Sequence, residues 1–224
     1  MLEVIYRQTR ARVCDLAVSL TSDQLRASVA ATPKWTVHEV LAHLVGCAAD
    51  AASGRLDGVT SDAWTARHVA ERRSLPVCEL LAEWDQVGRV AGSALTDEQI
   101  YGPNLAADVI CHEADLREAL GLPRVSREHW EPFLEVMMLY LRSQRRYTRT
   151  LVISDEQGRQ WVCGSGEPTT ALCADGYELL RAMFSRRSRR QIAGWNWTSA
   201  PDSKLIECFG FFGSRDDDQP VPVA

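Results

Sequence analysis

The chain has 224 residues, a length that fits one large domain or two small ones. Apolar residues make up 46% and charged residues 25%, proportions typical of a soluble globular protein, which exclude wholesale disorder and a coiled-coil rod. The net charge of −5 argues against a general nucleic-acid-binding role. Of the 25 basic residues only Lys34 and Lys204 are lysines, and this arginine bias is typical of a GC-rich genome.

The seven cysteines form no CxxC pair, and their odd number argues against a disulfide framework. The first residues lack the compact apolar segment and small-residue cleavage site of a signal peptide. The sequence contains no run of 18 apolar residues, so no membrane span is predicted. We therefore expect a cytoplasmic protein with reduced thiols that binds neither a membrane nor nucleic acid.

Apolar residues recur at helical spacing through the first two thirds of the chain. The predicted helices run from Leu2 to Leu20, from Val37 to Ser53, from about Pro76 to Leu95, from Leu105 to Leu120 and from Ser126 to Arg146. Capping boxes are predicted at Thr21 with Gln24 and at Thr36 with Glu39, and a cap for one further turn at Thr96 with Gln99. Residues 54–62 are expected to form a loop. The short connections indicate antiparallel neighbours in a bundle.

The pattern changes near Thr148. Residues 149–154 and 159–164 are β-type runs separated by Glu156-Gln157-Gly158, which predicts a hairpin. Residues 169–173 predict a third strand and residues 177–184 a helix. The predicted organisation is a helical domain over residues 1–147, a small α/β domain over 148–213 and a flexible tail over 214–224.

Two of the five histidines, His43 and His112, lie among apolar residues on predicted helices. Asp108 precedes His112 by four residues, so the two side chains share one helix face. A carboxylate and an imidazole at this spacing can bind one metal ion. His43 from a neighbouring helix would complete a three-ligand set that leaves positions open for water or substrate. The structural alternative is that each of these histidines is a core residue whose hydrogen-bonding groups are satisfied.

Other donors compete for this site. Cys47 follows His43 by four residues and is either a ligand or a small core residue. Cys111 and Glu113 are rotated by about 100° from His112, so we do not expect one ion to take them together with it. Asp115 is a ligand, an outer partner that fixes the tautomer of His112, or a polar contact between helices.

Three segments resemble one known family. PKWTVHEVLAHLVG resembles the Pro-x-Trp-Thr…His-Leu segment of the mycothiol-dependent maleylpyruvate isomerase family, within the DinB/YfiT-like superfamily. DVICHEADLREALG resembles that family's second signature, and ELLRAMFSRRSRRQ resembles its C-terminal domain. The segments occur in the family's order, and the resemblance covers most of the chain. It implies a mainly α fold, with a DinB-like four-helix bundle followed by a small α/β, sterol-carrier-like C-terminal domain.

The resemblance also implies a divalent metal ion, usually zinc, held by His43, Asp108 and His112, and mycothiol as the thiol cofactor. The family's best-studied pattern has glutamate at the position of Asp108, and the shorter side chain would shift or weaken the metal. Mycothiol is a thiol of actinobacteria, whose genomes are typically GC-rich, so the arginine bias agrees with the resemblance.

The arginine cluster at 186–190 follows a predicted helix, where cations suit the helix dipole, so a solvated basic end is one interpretation. The functional interpretation is that Arg186, Arg187 and Arg190 bind an anionic substrate or the thiol cofactor, since guanidinium pairs with carboxylate in a bidentate manner. A nucleic-acid patch ranks third because the chain is acidic. Three tryptophans are expected to be packing anchors: Trp35, Trp64 and Trp84.

The leading functional hypothesis is a metal-dependent enzyme that uses a small thiol of the mycothiol type for isomerisation or S-transfer on a small electrophile. No protein nucleophile is required, and the sequence has no nucleophile elbow, Walker A loop or Rossmann glycine pattern. The alternatives are a non-catalytic ligand- or partner-binding module with a vestigial metal site, and a hydrolase that uses metal-bound water. The oligomeric state is expected to be a monomer or a homodimer.

Overall fold

The structure is a computed structural model, described here over residues 1–96, 104–143, 150–164 and 168–222. The chain divides into two compact units, a helical unit over Met1–Arg124 and a C-terminal unit over Val125–Val221. The helix at 127–143 therefore groups with the C-terminal unit, whereas the sequence pattern placed it in the helical domain. The predicted domain bounds remain a prediction.

The helical unit is built on a four-helix bundle. Its helices are α1 (Leu2–Ser19), α2 (Ser22–Leu25), α3 (Val37–Ser53), α4 (Asp62–Arg72), α5 (Val77–Ser93) and α6 (Leu105–Ala119). Helices α1 and α3 each pack against both α5 and α6, which closes the bundle, and α4 packs on α3. The predicted bundle is confirmed. Helix α4 follows the predicted loop, and the sequence pattern assigned it no element.

Local sequence signals define the ends of the central helix, α3. Thr36 accepts a hydrogen bond from the Glu39 backbone, and the Glu39 side chain accepts one from the Thr36 backbone, as the capping box predicted. Gly54 ends the helix in the left-handed conformation, at φ 73°. Most of α3 is buried, including its polar residues His43 and Asp50. The predicted cap at Thr96 and Gln99 extends beyond the described residues.

Two polar contacts tie distant helices of the bundle together. The buried Trp84 indole donates to the hydroxyl of Tyr6 at 3.0 Å, and burial raises the pKa of Tyr6 to about 12. Arg12 of α1 binds both carboxylate oxygens of the buried Glu113 of α6, at 2.8 and 2.7 Å. These contacts hold α1 against α5 and α6, which lie far from α1 in the sequence.

The C-terminal unit is a small α/β structure. It contains α7 (Arg127–Ser143), β1 (Thr150–Ser154), β2 (Gln160–Cys163), β3 (Pro168–Cys173), α8 (Gly176–Met183), α9 (Arg189–Ala193), β4 (Asn196–Trp197) and α10 (Ser203–Glu207). The sheet order is β2-β1-β3-β4. Strand β1 pairs antiparallel with β2 and parallel with β3, and β4 is antiparallel to β3. The mainly α fold with a small C-terminal α/β part is thus confirmed.

The predicted flexible tail begins at residue 214. Within it Gln219 is buried and its backbone N–H donates to Gln191 at 3.0 Å, while Ser188 donates to Asp218 at 2.6 Å. The described part of this segment is therefore anchored on the N-terminal end of α9. Among the described residues, no helix is both long and apolar enough to cross a bilayer.

Candidate metal centre

The three ligands predicted from the sequence meet in the core of the helical unit. His43 lies in the middle of α3, and Asp108 and His112 lie one turn apart on α6. Asp108 Oδ1 is 3.5 Å from His43 Nε2 and 3.6 Å from His112 Nε2. Donor atoms of all three residues lie within 4.8 Å of one another. Donor atoms that bind one ion at about 2.0–2.2 Å lie as far from one another as the donor atoms of these three residues do. This arrangement therefore fits a single metal ion.

The position of Asp108 depends on the start of α6. Asn104 caps the helix through its side chain, which accepts a hydrogen bond from the Ala107 backbone at 2.9 Å. Asp108 therefore lies in the first turn, where the helix dipole favours a negative charge. Because the two histidines lie on separate helices, the site requires α3 and α6 to pack together, as they do here.

The electrostatics of the carboxylate also fit a cation. Burial raises the pKa of Asp108, but its interactions with His43 and His112 outweigh burial, so the net pKa lies well below the usual value. Asp108 Oδ2 is buried and accepts no hydrogen bond from the residues that the structure describes. A buried carboxylate oxygen without a partner is costly, and a bound cation would satisfy it. The residues present therefore fit the metal that the sequence resemblance implies.

Asp115, the predicted outer partner of His112, is close to it. Its Oδ2 atom lies 2.9 Å from His112 Nδ1, and both residues are buried. The direction of approach lies outside hydrogen-bond geometry. A carboxylate beside the free nitrogen of a metal-ligating histidine is the usual means of orienting the ring. The proposed role of Asp115 stays a prediction.

A second group of possible metal ligands also lies next to His43. Cys47, one turn further along α3, has its Sγ 3.5 Å from His43 Nε2 and 3.7 Å from His68 Nδ1. His68, on α4, has its Nδ1 3.5 Å from His43 Nδ1. All three residues are buried, and their donor atoms also lie within 4.8 Å of one another. The spacing of Cys47 from His43 makes it a candidate ligand already in the sequence, whereas no sequence pattern indicates a role for His68.

His68 is held by a buried carboxylate. Its Nε2 atom lies 2.9 Å from Asp50 Oδ2, and Arg67 donates to the same oxygen at 2.5 Å. Burial raises the pKa of Asp50, but the bonds from Arg67 and His68 outweigh it, so the net pKa is lowered. Burial lowers the pKa of His68, so its ring is neutral at pH 7. An ionised carboxylate can only accept, so the His68 proton lies on Nε2 and the lone pair of Nδ1 faces Cys47 and His43.

A glycine and two tryptophans shape the surroundings of the cluster. Gly46 has no side chain, and the His68 ring occupies the space that a Cβ there would need. The Trp35 ring centroid is 4.9 Å from that of His43, and the Trp64 centroid is 4.1 Å from that of His68. Both tryptophans are half-buried, whereas Trp84 is fully buried, as expected of a packing anchor. Trp35 and Trp64 therefore pack directly on the candidate site.

The arginines predicted to bind substrate or thiol have partners within the C-terminal unit. Arg187 is buried and binds both carboxylate oxygens of Glu178, at 2.5 and 2.7 Å. Arg186 is also buried and donates to the Phe184 carbonyl at 2.8 Å. Arg190 is exposed and pairs with Asp218. Two of the three are thus buried and not a solvated basic end, and their predicted binding role stays a prediction.

Fold and donor cluster together define the class of the molecule as a helical-bundle protein with a candidate metal centre and a small C-terminal α/β unit. Residues 6–100 match the family model described as the mycothiol maleylpyruvate isomerase N-terminal domain. The family resemblance drawn from the sequence motifs is therefore confirmed. Within the match lie His43, Cys47 and His68, whereas Asp108 and His112 lie beyond it.

Solved structures agree at the level of the fold. The chain is similar to a crystal structure of the mycothiol-dependent maleylpyruvate isomerase in a single-site mutant form, with a TM-score of 0.61 and 12% identity. It is similar to a second crystal structure of the mycothiol-dependent maleylpyruvate isomerase, with a TM-score of 0.55 and 13% identity. Each comparison covers 91% of this chain and 94% of the other. No curated protein sequence matches the chain.

Proposed function

We propose that this protein is a metal-dependent enzyme that uses a small thiol of the mycothiol type to isomerise, or to transfer sulfur to, a small electrophilic substrate. The observation that carries the proposal is the convergence of His43, Asp108 and His112, with a buried carboxylate oxygen of Asp108 left without a partner. The match to the isomerase N-terminal domain and the shared fold support the choice of thiol.

His43, Asp108 and His112 would hold the ion, for which zinc is proposed, and three protein ligands leave coordination positions for a small molecule. A divalent ion, when bound, supplies the positive charge that lowers the pKa of a coordinated thiol. Asp115 would keep the His112 ring in orientation, since it lies beside the nitrogen that does not face Asp108.

The protein itself contributes a site that positions the reacting groups and partly excludes water. Trp35 and Trp64 cover the histidine rings, and His43 and His112 are buried. Exclusion of water strengthens the attraction between the site and a thiolate. A thiolate held there adds to an electrophilic carbon, and its departure after rotation about the former double bond gives the isomer. Retention of the new C–S bond gives the S-transfer product.

Zinc analysis of protein purified without chelator tests the ligand set. We expect about one ion per chain in the wild type and a loss of zinc affinity of tenfold or more in Asp108→Asn and His112→Ala. The matched control is His129→Ala, which removes a histidine from the C-terminal unit and is expected to leave zinc content unchanged. Zinc binding that is equally tight in wild type, Asp108→Asn and His112→Ala would contradict the assignment.

Turnover with a panel of small electrophiles, measured with and without added thiol, tests the reaction class. The proposal requires activity that depends on both the thiol and Asp108. Equal activity without thiol would instead support a hydrolase. Complete inactivity of a zinc-loaded protein toward the panel, with no zinc-dependent binding of thiol, would support the non-catalytic module.

A further inference from the structure

The candidate site contains two donor sets that share one histidine. The carboxylate set is His43, Asp108 and His112, and the thiolate set is His43, Cys47 and His68. His43 Nε2 lies 3.5 Å from Asp108 Oδ1, whereas His43 Nδ1 lies 3.5 Å from His68 Nδ1. Asp108 and His68 therefore lie at different nitrogens of this ring, and Cys47 Sγ lies close to both, 3.5 Å from Nε2 and 3.8 Å from Nδ1.

The spacing of the thiolate set is close to that of the ligands of one tetrahedral metal ion. With Zn–S of about 2.3 Å and Zn–N of about 2.0–2.1 Å, tetrahedral ligands lie about 3.3–3.6 Å apart. The three atoms here are separated by 3.5 Å (His43 Nδ1 to His68 Nδ1), 3.7 Å (Cys47 Sγ to His68 Nδ1) and 3.8 Å (Cys47 Sγ to His43 Nδ1). These distances exceed the zinc values by a few tenths of an ångström at most.

The chemistry of the donors favours a soft ion. A thiolate is the ligand that separates soft ions from ions that prefer oxygen, and the thiolate set contains one where the other set has a carboxylate. His68 presents the lone pair of Nδ1, because its Nε2 proton is bound by Asp50. A carboxylate on the outer nitrogen is the arrangement found at histidines that bind metals. Arg67 balances the charge of that carboxylate.

We propose that His43, Cys47 and His68 form a second metal position, selective for a thiophilic ion of the Cd²⁺ type, which excludes an ion from the carboxylate set because the neutral His43 ring offers only one nitrogen lone pair for the two positions. Cys47 binds as the thiolate, so occupation releases its proton to solvent. The position shares only His43 with the carboxylate set and does not depend on the activity proposed for that set.

Titration of the metal-free full chain with Cd²⁺ tests the proposal, because a Cd²⁺–thiolate bond gives an ultraviolet charge-transfer absorption that nitrogen and oxygen ligands do not give. We expect the absorption to saturate at about one ion per chain in the wild type. Cys47→Ser should abolish it, and His68→Asn should weaken Cd²⁺ affinity tenfold or more. The matched control, Cys111→Ser, removes another buried thiol of the same unit and should retain the absorption.

Asp108→Asn separates this proposal from the proposed function, since it should lose zinc affinity yet keep the Cd²⁺–thiolate absorption. No absorption in the wild type, or an absorption that survives Cys47→Ser in folded protein, would overturn the second position and leave the carboxylate set intact. X-ray absorption at the cadmium edge gives the same decision without substitution. One sulfur neighbour is expected, and a shell of nitrogen and oxygen alone would refute the proposal.

Discussion

Replacing Gly46 with alanine would place a methyl group where the His68 ring lies. A Cβ at this position would be 2.5 Å from His68 Cβ, 2.7 Å from Cδ2 and closer still to Cγ. His68 has little room to move, because Asp50 holds its Nε2 at 2.9 Å and the Trp64 ring packs against it at a centroid distance of 4.1 Å. To accommodate the methyl group, the packing around the helix must shift and the histidine must leave its hydrogen bond.

The cost follows from these contacts. Overpacking of a filled core costs about 1–3 kcal/mol, and loss of a hydrogen bond to a charged group costs about 1.5–3 kcal/mol more. The better helix propensity of alanine returns about 1 kcal/mol. We therefore expect Gly46→Ala to lower the free energy of unfolding by about 1.5–5 kcal/mol. Because the ring of His68 is displaced, the variant should also lose affinity for Cd²⁺.

Urea unfolding followed by far-ultraviolet circular dichroism measures this change. The matched control is Gly88→Ala on α5, where the atoms nearest to the new Cβ belong to the long side chain of Arg10, the closest being its Cδ at 3.1 Å. There the gain in helix propensity offsets the adjustment of Arg10, and we expect stability within about 1 kcal/mol of the wild type. A Gly46→Ala protein as stable as the wild type would refute the close packing of His68 on α3.

Two further predictions concern the polar contacts that tie α1 to its neighbours. Tyr6→Phe should cost about 1–3 kcal/mol, because it leaves the buried indole N–H of Trp84 without an acceptor. Because the pKa of Tyr6 is raised to about 12, its contribution to the free energy of unfolding is full below pH 10 and is lost as pH rises from 10 through 12. Urea titrations across that range should therefore show a steeper loss of stability in the wild type than in Tyr6→Phe. Arg12→Met should lower the free energy of unfolding by about 3–5 kcal/mol, because it leaves Glu113 buried and unpaired. The double variant with Glu113→Gln should recover much of that loss in the same assay. Equal stability of the single and double variants would contradict the pairing.

The sequence predicted the carboxylate set because its signals are local. The spacing of Asp108 and His112 fixes both on one helix face, and the apolar surroundings of His43 indicate a buried position. Capping boxes fixed the start of α3 to the residue, since they depend on side chains three positions apart. The family resemblance then supplied the pairing of the two helices, which spacing alone does not give.

His68 could not be assigned from the sequence. Helix α4 is short and rich in polar residues, so its pattern does not show that one histidine points into the core. The signal that was present is Gly46, a glycine inside an apolar helix, which indicates close approach of another group without naming it. The burial of Arg187 was not expected either. Its partner Glu178 lies nine residues away, outside any simple helix spacing.

Composition and periodicity by themselves thus determined a helical bundle with a small α/β part, the local ends of its helices and a pair of candidate ligands on α6. Tertiary structure brings His43 to Asp108, a pairing that otherwise only the family resemblance implied, and it alone brings His68 to Cys47. The physical reason is range: capping and face periodicity act over three or four residues, whereas a metal site needs donors placed within a few ångströms by packing between distant segments.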